Sequence, residues 1–440
     1  MSAPSRPVVD VDPSWRFPAA ETRTLANGLR VHHLRHAGAL AAATLVLDLP
    51  SHVEPRAEEG VVALLARLLD KGSTFRDADA IAATAERRGL QYLIRTGHDA
   101  VYADLEFVPR MLPEVLDLLA EIVSVPVFPD DQVRGEIEGL RAEYRMAMDI
   151  PAARAGLELA AAGVAPEARC ARPAGGTEES LARLGRAPVA DLHRKYVGPA
   201  NVTLVLAGEF SAEAVFAAAD SAFGAWSAPA EEVAPASAPP VRAPSTVVIH
   251  RPGSVQSHLA FGAAAIDRRS PDWPALLAAV HALGGGMSSR LMAELRTARA
   301  YTYGVRASLR PWRRGGMFVI ETAVDTSVTG AAVNETLRLL AEYAAAGPTA
   351  AERNDAVDYL LGSDAVRHQN AQAVAGAHAA LVGNDLPAGH LDEVRSRLAV
   401  LTPEDLAEAF TRHVPSALSL VVVGDADTVA RHLPGPLIIS

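Results

Sequence analysis

The sequence predicts an α+β protein made of two homologous domains, each a mixed β-sheet packed with α-helices and joined by an Ala/Pro-rich linker. Three observations carry that expectation. A chain of 440 residues is too long for one compact core. Between Ser227 and Ser245 the repeated Ala-Pro pairs remove amide donors and favour extended backbone, as a linker should. The two halves also end alike. A helical pattern through Asp191-Leu192 to Tyr196 leads by a short turn to the apolar run Val202–Leu206 and then Gly208-Glu209. A second, through Asp405-Leu406 to Phe410 and His413, leads to Leu418–Val423 and Gly424-Asp425. Helix, turn, buried strand and Gly-acid turn recur together, which reads as a duplication. The expected domains are residues 15–227 and 245–440.

In the first half, Leu29–Leu34 and Ala42–Leu49 have strand character, as does the stretch near Tyr102–Phe107. Gly60–Leu69, Ala78–Arg88, Leu112–Val123 and Asp131–Met148 show helical spacing of apolar residues. The second half runs similarly. Strands are expected at Thr246–His250, His258–Ala263 and Met317–Ala323, with a helix over Trp273–Leu283 and further helices from Gly330 onward. Strands followed by long helices, twice over, suggest helices layered on a sheet in each domain.

Apolar residues make up 49% and charged residues 21% of the chain, the composition of an ordinary globular protein. A formal charge of −11 argues against a nucleic-acid partner, which needs clustered positive charge. Lys71 and Lys195 are the only lysines; the arginine and alanine excess suggests a GC-rich, bacterial genome. Cys170 is the sole cysteine, so neither an internal disulfide nor a cysteine zinc site can form within one chain. A reducing compartment fits. Met1–Phe17 holds acidic residues and prolines but no apolar core of a secretion signal. The apolar stretch Ala39–Leu49 is too short to span a bilayer and contains Asp48. No membrane partner and a cytoplasmic location are expected.

The segment Gly60–Gly72 is a helix whose buried stripe is Val61, Leu64, Leu65 and Leu68, with Gly72 placed to end it. Ala63 and Arg67 are four apart and share a face, with Ala66 beside them. This half resembles the pitrilysin and insulinase class of zinc peptidases, which includes the mitochondrial processing peptidase. The resemblance rests on Leu25-Ala26-Asn27-Gly28-Leu29-Arg30-Val31 as an opening strand, on this helix with Asp70-Lys71-Gly72-Ser73, and on Ala78–Arg88 with Gly89-Leu90. In active members of that class the helix carries His-x-x-Glu-His, two imidazoles for zinc and a glutamate that activates its water. The matching positions here are Ala63, Ala66 and Arg67. A methyl group cannot ligate zinc, and a guanidinium has no lone pair. The resemblance places the third family ligand, a glutamate on a later helix, at Glu143, which otherwise reads as a helix residue that could pair with Arg67. His32, His33 and His36 cluster in sequence, but strand alternation sends His32 and His33 to opposite faces. No metal is expected in this chain.

The longest motif is Leu283-Gly284-Gly285-Gly286-Met287-Ser288-Ser289, continuing through Arg290, Arg296 and Arg299 to Tyr303-Gly304-Val305. No Gly-Lys-Ser/Thr follows the glycines, which argues against a phosphate loop. Gly284, Gly285 and Gly286 are expected to end one helix, and Ser288 or Ser289 to cap the next. The run closely resembles the Gly-rich turn and Arg…Tyr element in the C-terminal half of the same class. There the arginine and the tyrosine seven residues later face the zinc across a substrate chamber. The resemblance therefore assigns catalytic roles to Arg296 and Tyr303, and substrate contacts to Gly284, Gly285, Gly286 and Arg299. The alternative is a helix-surface arginine and a sheet-packed tyrosine. Chemically, an arginine fork suits a peptide carbonyl and a phenol suits an oxyanion.

Loss of every metal-helix residue beside retention of the Arg…Tyr element suggests the non-catalytic, substrate-binding subunit of a heterodimeric zinc metallopeptidase. Its implied partners are a homologous zinc-bearing subunit and an extended peptide, with zinc in the partner alone. A structural core-type subunit and a peptide-binding homodimer are the rival expectations.

Overall fold

A computed structural model describes residues 15–440. Most of the Met1–Phe17 segment, and the reading made of it, thus lies outside the described residues. The strands are β1 Ala20–Thr24, β2 Arg30–Arg35, β3 Ala41–Leu47, β4 Gln91–Thr96, β5 Val101–Phe107 and β6 Val202–Gly208 in the first half. The second half holds β7 Thr246–His250, β8 Gln256–Ala265, β9 Thr302–Pro311, β10 Gly316–Asp325, β11 Ser419–Gly424 and β12 Leu437–Ile439. They form two six-stranded sheets, ordered β1-β2-β6-β3-β5-β4 and β12-β7-β11-β8-β10-β9.

The two sheets repeat one topology. In each, the first internal strand lies parallel to the last (β2 with β6, β7 with β11), and the remaining central pairs are antiparallel. Only the outer strand differs: β1 is antiparallel to β2, whereas β12 comes from the chain's other end and runs parallel to β7. Duplication with a different edge in each copy accounts for this arrangement.

The helices of the first half are α1 Val61–Leu68, α2 Ala78–Arg88, α3 Leu112–Ser124, α4 Asp130–Asp149, α5 Pro151–Gly163, α6 Glu178–Leu181, α7 Arg186–Tyr196 and α8 Ala212–Phe223. Those of the second are α9 Trp273–Gly284, α10 Thr329–Ala346, α11 Ala350–Arg367, α12 Ala371–Gly383, α13 His390–Val400, α14 Pro403–His413 and α15 Ala426–Val429. On one face of the first sheet, Ala43, Leu45, Leu204 and Leu206 pack with Leu64, Leu68, Leu116 and Phe223 from α1, α3 and α8. Phe261, Phe318 and Leu420 do the same against α9, α10 and α14 in the second.

The opposite faces are covered by exchange. Helix α12 of the second half lays Val374, Ala375 and Ala379 on Ala42, Val46, Val205 and Ala207 of the first sheet. Helix α5 of the first half lays Ala155 and Leu159 on Ala260, Val319, Val421 and Val423 of the second. This explains why β3, β6 and β11 are buried along their whole length and read as unbroken apolar runs rather than alternating ones. The fully buried Val374 and Leu159 each stabilise the joint by about 2 kcal/mol, and each alanine by less.

Arg313, in the turn between β9 and β10, closes the same joint. Its guanidinium donates to the Asp48 carboxylate (2.7 Å), to the Asp99 carbonyl (2.7 Å) and to the Gly383 carbonyl at the end of α12 (2.7 and 3.0 Å).

One expectation needs correction here. Leu25–Val31 is not an opening strand; Leu25–Leu29 is the turn of a β1–β2 hairpin, closed by the Leu25 amide on the Leu29 carbonyl (2.8 Å). Gly28, at φ 96°, takes the left-handed conformation that an Asn-Gly turn requires.

Candidate functional site

Helix α1, where the resemblance places a degenerate metal motif, is held firmly at its start. The Glu54 carboxylate accepts the Gly60 and Val62 amides (3.1 and 2.9 Å), satisfying donors that the first turn of α1 leaves open. Its other oxygen is bound by Arg169 at 2.6 Å. Burial pushes the Glu54 pKa up, while the Arg169 charge and the two amides oppose that shift.

Further along, Ala63 and Ala66 are buried at 5% and 1% exposure. Arg67 reaches α4 and binds both Glu143 oxygens at 2.6 Å, with Glu136 at 3.4 Å. The predicted pairing is therefore present, and the only charge offered at these three positions is a cation already engaged by carboxylates. Two methyl groups and a guanidinium do not fit a zinc ion. The remaining acid, Glu143, supplies too few donors for a tetrahedral site.

The histidine cluster does not converge. His32 Nδ1 lies 2.8 Å from His378 Nε2 on α12, whereas His33 is buried and faces the other side of the strand. Among the described residues, one trio of ligand atoms lies within 4.8 Å: His250, Asp425 and Asp427, near the end of β11 and remote in the fold from α1. His250 Nδ1 already accepts the Ala426 amide at 3.0 Å.

In the second half, α9 ends at Gly284, as expected. Gly284 is buried, and a Cβ there would meet the Ala307 Cβ at 2.6 Å; one at Gly285 would meet the His281 imidazole at 2.3 Å. The glycines thus let β9 and His281 approach the turn closely. The expected serine cap does not form. The Ser289 hydroxyl instead donates to the Gly286 carbonyl, tightening the turn.

The chain then rewinds, and Met292–Ala298 takes the wider π form, with the Arg299 amide bonded to the Glu294 carbonyl at 3.0 Å. Such windings are frequent at functional sites. Ala300 follows at φ 54°, a left-handed conformation unusual for a residue with a side chain. Next comes a β-bulge. Val305 pairs with Thr322 and Thr302 with Val324, so β9 holds one residue more than β10 across this interval. Two threonines pin the bulge. Thr302 Oγ1 accepts the Gly304 amide (3.0 Å), and Thr322 Oγ1 lies 3.0 Å from Thr302 Oγ1 and 2.9 Å from the Gly304 carbonyl.

The consequence is that Tyr303 turns outward and is 93% exposed. A regular strand would have placed it on the core side with Val305. The sheet-packed alternative for Tyr303 is therefore not what the fold adopts.

The arginines of the run divide. Arg290 is tied to Glu352 (2.8 and 2.6 Å), and Arg299 to Glu335 (2.8 Å). Arg296 is exposed, and its recorded contact is the Met287 sulfur at 3.7 Å; no carboxylate pairs with it among the described residues. The exposed side of this region thus presents an uncommitted guanidinium, a phenol and the open edge of β9.

Residues that sequence reasoning passed over complete the setting. His281 stacks on Tyr359 at 4.7 Å, and burial, then the Arg367 and Arg306 charges, push its pKa down to about 4. A glycine four residues after a helical histidine was the available signal for this contact. Nothing in the sequence marks Thr322.

Comparison with known proteins fits these observations. Residues 32–167 match the insulinase family (peptidase family M16), and residues 183–360 match the peptidase M16 inactive domain. The chain is 25% identical over 386 residues to an uncharacterized zinc protease of Streptomyces coelicolor, covering 85% of this chain and 82% of that protein. It is 22% identical over 189 residues to mitochondrial-processing peptidase subunit alpha-1 of Dictyostelium discoideum, covering 43% of this chain and 29% of that one. Among solved structures, the peptidase M16 inactive domain from Pseudomonas fluorescens superposes with a TM-score of 0.86 at 25% identity, covering 92% of this chain and 98% of that one. A protease from Helicobacter pylori gives 0.85 at 19% identity over 92% and 99%, a likeness of fold.

Proposed function

Because the chain belongs to the insulinase-type M16 peptidase family, we propose that it is the non-catalytic, substrate-binding subunit of a heterodimeric zinc metallopeptidase. The observation that carries this reading is the contrast between its two halves. Positions 63, 66 and 67 offer no zinc ligand, while a pinned bulge turns Tyr303 into solvent and no carboxylate among the described residues pairs with Arg296.

In this reading the zinc, which polarises the scissile carbonyl and activates water, is held by a homologous partner subunit. This chain contributes binding and charge. An extended peptide adds as a strand to the open edge of β9, where backbone hydrogen bonds tolerate many sequences. Arg296 orients a peptide carbonyl through its fork of donors. The Tyr303 phenol donates to the oxyanion as it forms, a contact that is stronger in the transition state than in the ground state. Arg299, held by Glu335, and the Gly284–Gly286 turn shape the same wall. Among the described residues no helix is long and apolar enough to cross a membrane; a cytoplasmic complex acting on peptides fits the proposal.

The test combines this chain with a homologous zinc-bearing chain and follows cleavage of a fluorogenic peptide. Tyr303→Phe should lower kcat by about a hundredfold with KM little changed, the effect of one lost oxyanion donor. Arg296→Ala should chiefly raise KM. Unchanged turnover in both variants would refute the assigned roles. A stable complex without hydrolysis would favour a structural core-type subunit, and tight peptide binding by the chain alone would favour a peptide-binding homodimer.

A further inference from the structure

Helices α9, α11, α12 and α13 enclose a cavity of about 300 Å³. Its walls are mostly apolar, with Trp273, Leu277, Leu381 and Leu391 among the lining residues. Its charged groups are unbalanced: among the described residues, Arg268, Arg367 and Arg395 face Asp364 as the one carboxylate of the lining. That carboxylate is occupied, since Arg395 binds it at 3.1 Å. Trp15 closes one side, stacked on His368 at 5.6 Å and lying under the Arg395 guanidinium at 5.2 Å.

Arg268 makes no hydrogen bond or ion pair among the described residues. Asp99 and Tyr102, the groups whose charges act on it, belong to the first half and are not part of the wall. Burial lowers its pKa. Arg367 is exposed, lies 5.8 Å from the Tyr359 ring and has no carboxylate partner among the described residues. The part-buried Arg268 in a largely apolar space, with Arg367 exposed at its rim and the local carboxylate committed elsewhere, leaves a charge that a ligand can neutralise.

We infer that this cavity is a binding site for a small apolar carboxylate, an anionic head on Arg268 with a hydrocarbon body between Trp273, Leu277 and Leu381. At roughly 30 Å³ for each non-hydrogen atom, the volume accepts a body of about ten such atoms. Two sources share this chemistry: a medium-chain fatty acid, and the terminal carboxylate of a short apolar peptide. The site stands apart from Arg296 and Tyr303 and does not depend on the peptidase reading.

The experiment is calorimetric titration of the full chain with decanoate, decanol, N-acetyl-leucine and N-acetyl-leucinamide, with tryptophan fluorescence as a second reporter. Saturable binding of at least one carboxylate is expected, with its neutral counterpart weaker by about tenfold or more. Whichever carboxylate binds more tightly identifies the source. Arg268→Gln should weaken it by about tenfold. Leu277→Trp, which fills the cavity without touching the charge, should abolish it in a chain whose circular dichroism is unchanged. Equal binding of acid and neutral counterpart, full binding by Leu277→Trp, or no saturable binding of either acid would overturn the inference.

Discussion

Arg313→Met tests how the two halves are held together. The arginine side chain is 9% exposed, and it bridges Asp48 and the Asp99 carbonyl of the first half to the Gly383 carbonyl of the second. Methionine keeps most of the bulk and removes every donor. Losing one partner of a buried, hydrogen-bonded charge pair costs about 3–5 kcal/mol. Here Asp48 is 34% exposed and can be rehydrated, so only the carbonyls lose all compensation. That places the expected loss at the lower end, about 3 kcal/mol. Guanidinium unfolding, followed by circular dichroism and by tryptophan fluorescence, reads it directly. The exchanged helices α5 and α12 should give the wild type one cooperative transition, and the variant should show an earlier, broader one with the two probes no longer coincident. A loss below about 1 kcal/mol with coincident probes would show that the helix exchange alone carries the joint, and the argument from Arg313 would fail.

Three further outcomes are expected. Arg67→Ala should cost no more than about 1 kcal/mol, because its pair with Glu143 is 32% and 56% exposed and screened by water; thermal unfolding measures this, and a larger loss would mean that the guanidinium is structurally essential to α1. Ala300→Gly should raise stability by up to about 1 kcal/mol by relieving the left-handed φ of 54°, read by chemical denaturation, whereas destabilisation would contradict the assigned strain. Acid should loosen the joint at His378, whose pKa burial pushes down to about 4, with His32 also adding to the shift. The folded state refuses a proton that the unfolded chain accepts near pH 6.5, so this contribution is intact above that pH and fades as pH falls toward about 4. Denaturation profiles of His378→Leu should accordingly be flatter than wild type across that window; identical slopes would rule the contribution out.

Much of the fold was legible because local chemistry and tertiary need agree. Ala78–Arg88 was readable to the residue: Asp77 accepts the Ala80 amide at 2.8 Å, and Gly89 ends the helix at φ 66°. The family resemblance drew attention to Glu143, which pairs with Arg67, and to Tyr303, which faces outward. Other elements left weaker traces. Strand β4 is an edge strand whose residues are all at least partly exposed, so no apolar alternation marks it. Helix α5 begins at Pro151, which interrupts the helical pattern of α4 although proline suits a helix's first turn. The exchange of α5 and α12 was hidden for a different reason. Alanine-rich helices carry no record of which sheet they cover, and only the unbroken apolar runs of β3, β6 and β11 hinted that both faces were buried. The bulge behind Tyr303 depends on the register of a partner strand twenty residues away, which local pattern cannot encode.

The central claim is complementation: this chain lacks the metal and supplies the wall opposite it. The direct measurement is peptide cleavage by a zinc-bearing homologous chain titrated with this one, alongside the zinc content of each purified chain. Activity should rise and saturate at equimolar mixture, with no zinc bound by this chain alone. Stoichiometric zinc in the isolated chain, together with unaided cleavage that a chelator abolishes, would contradict the account.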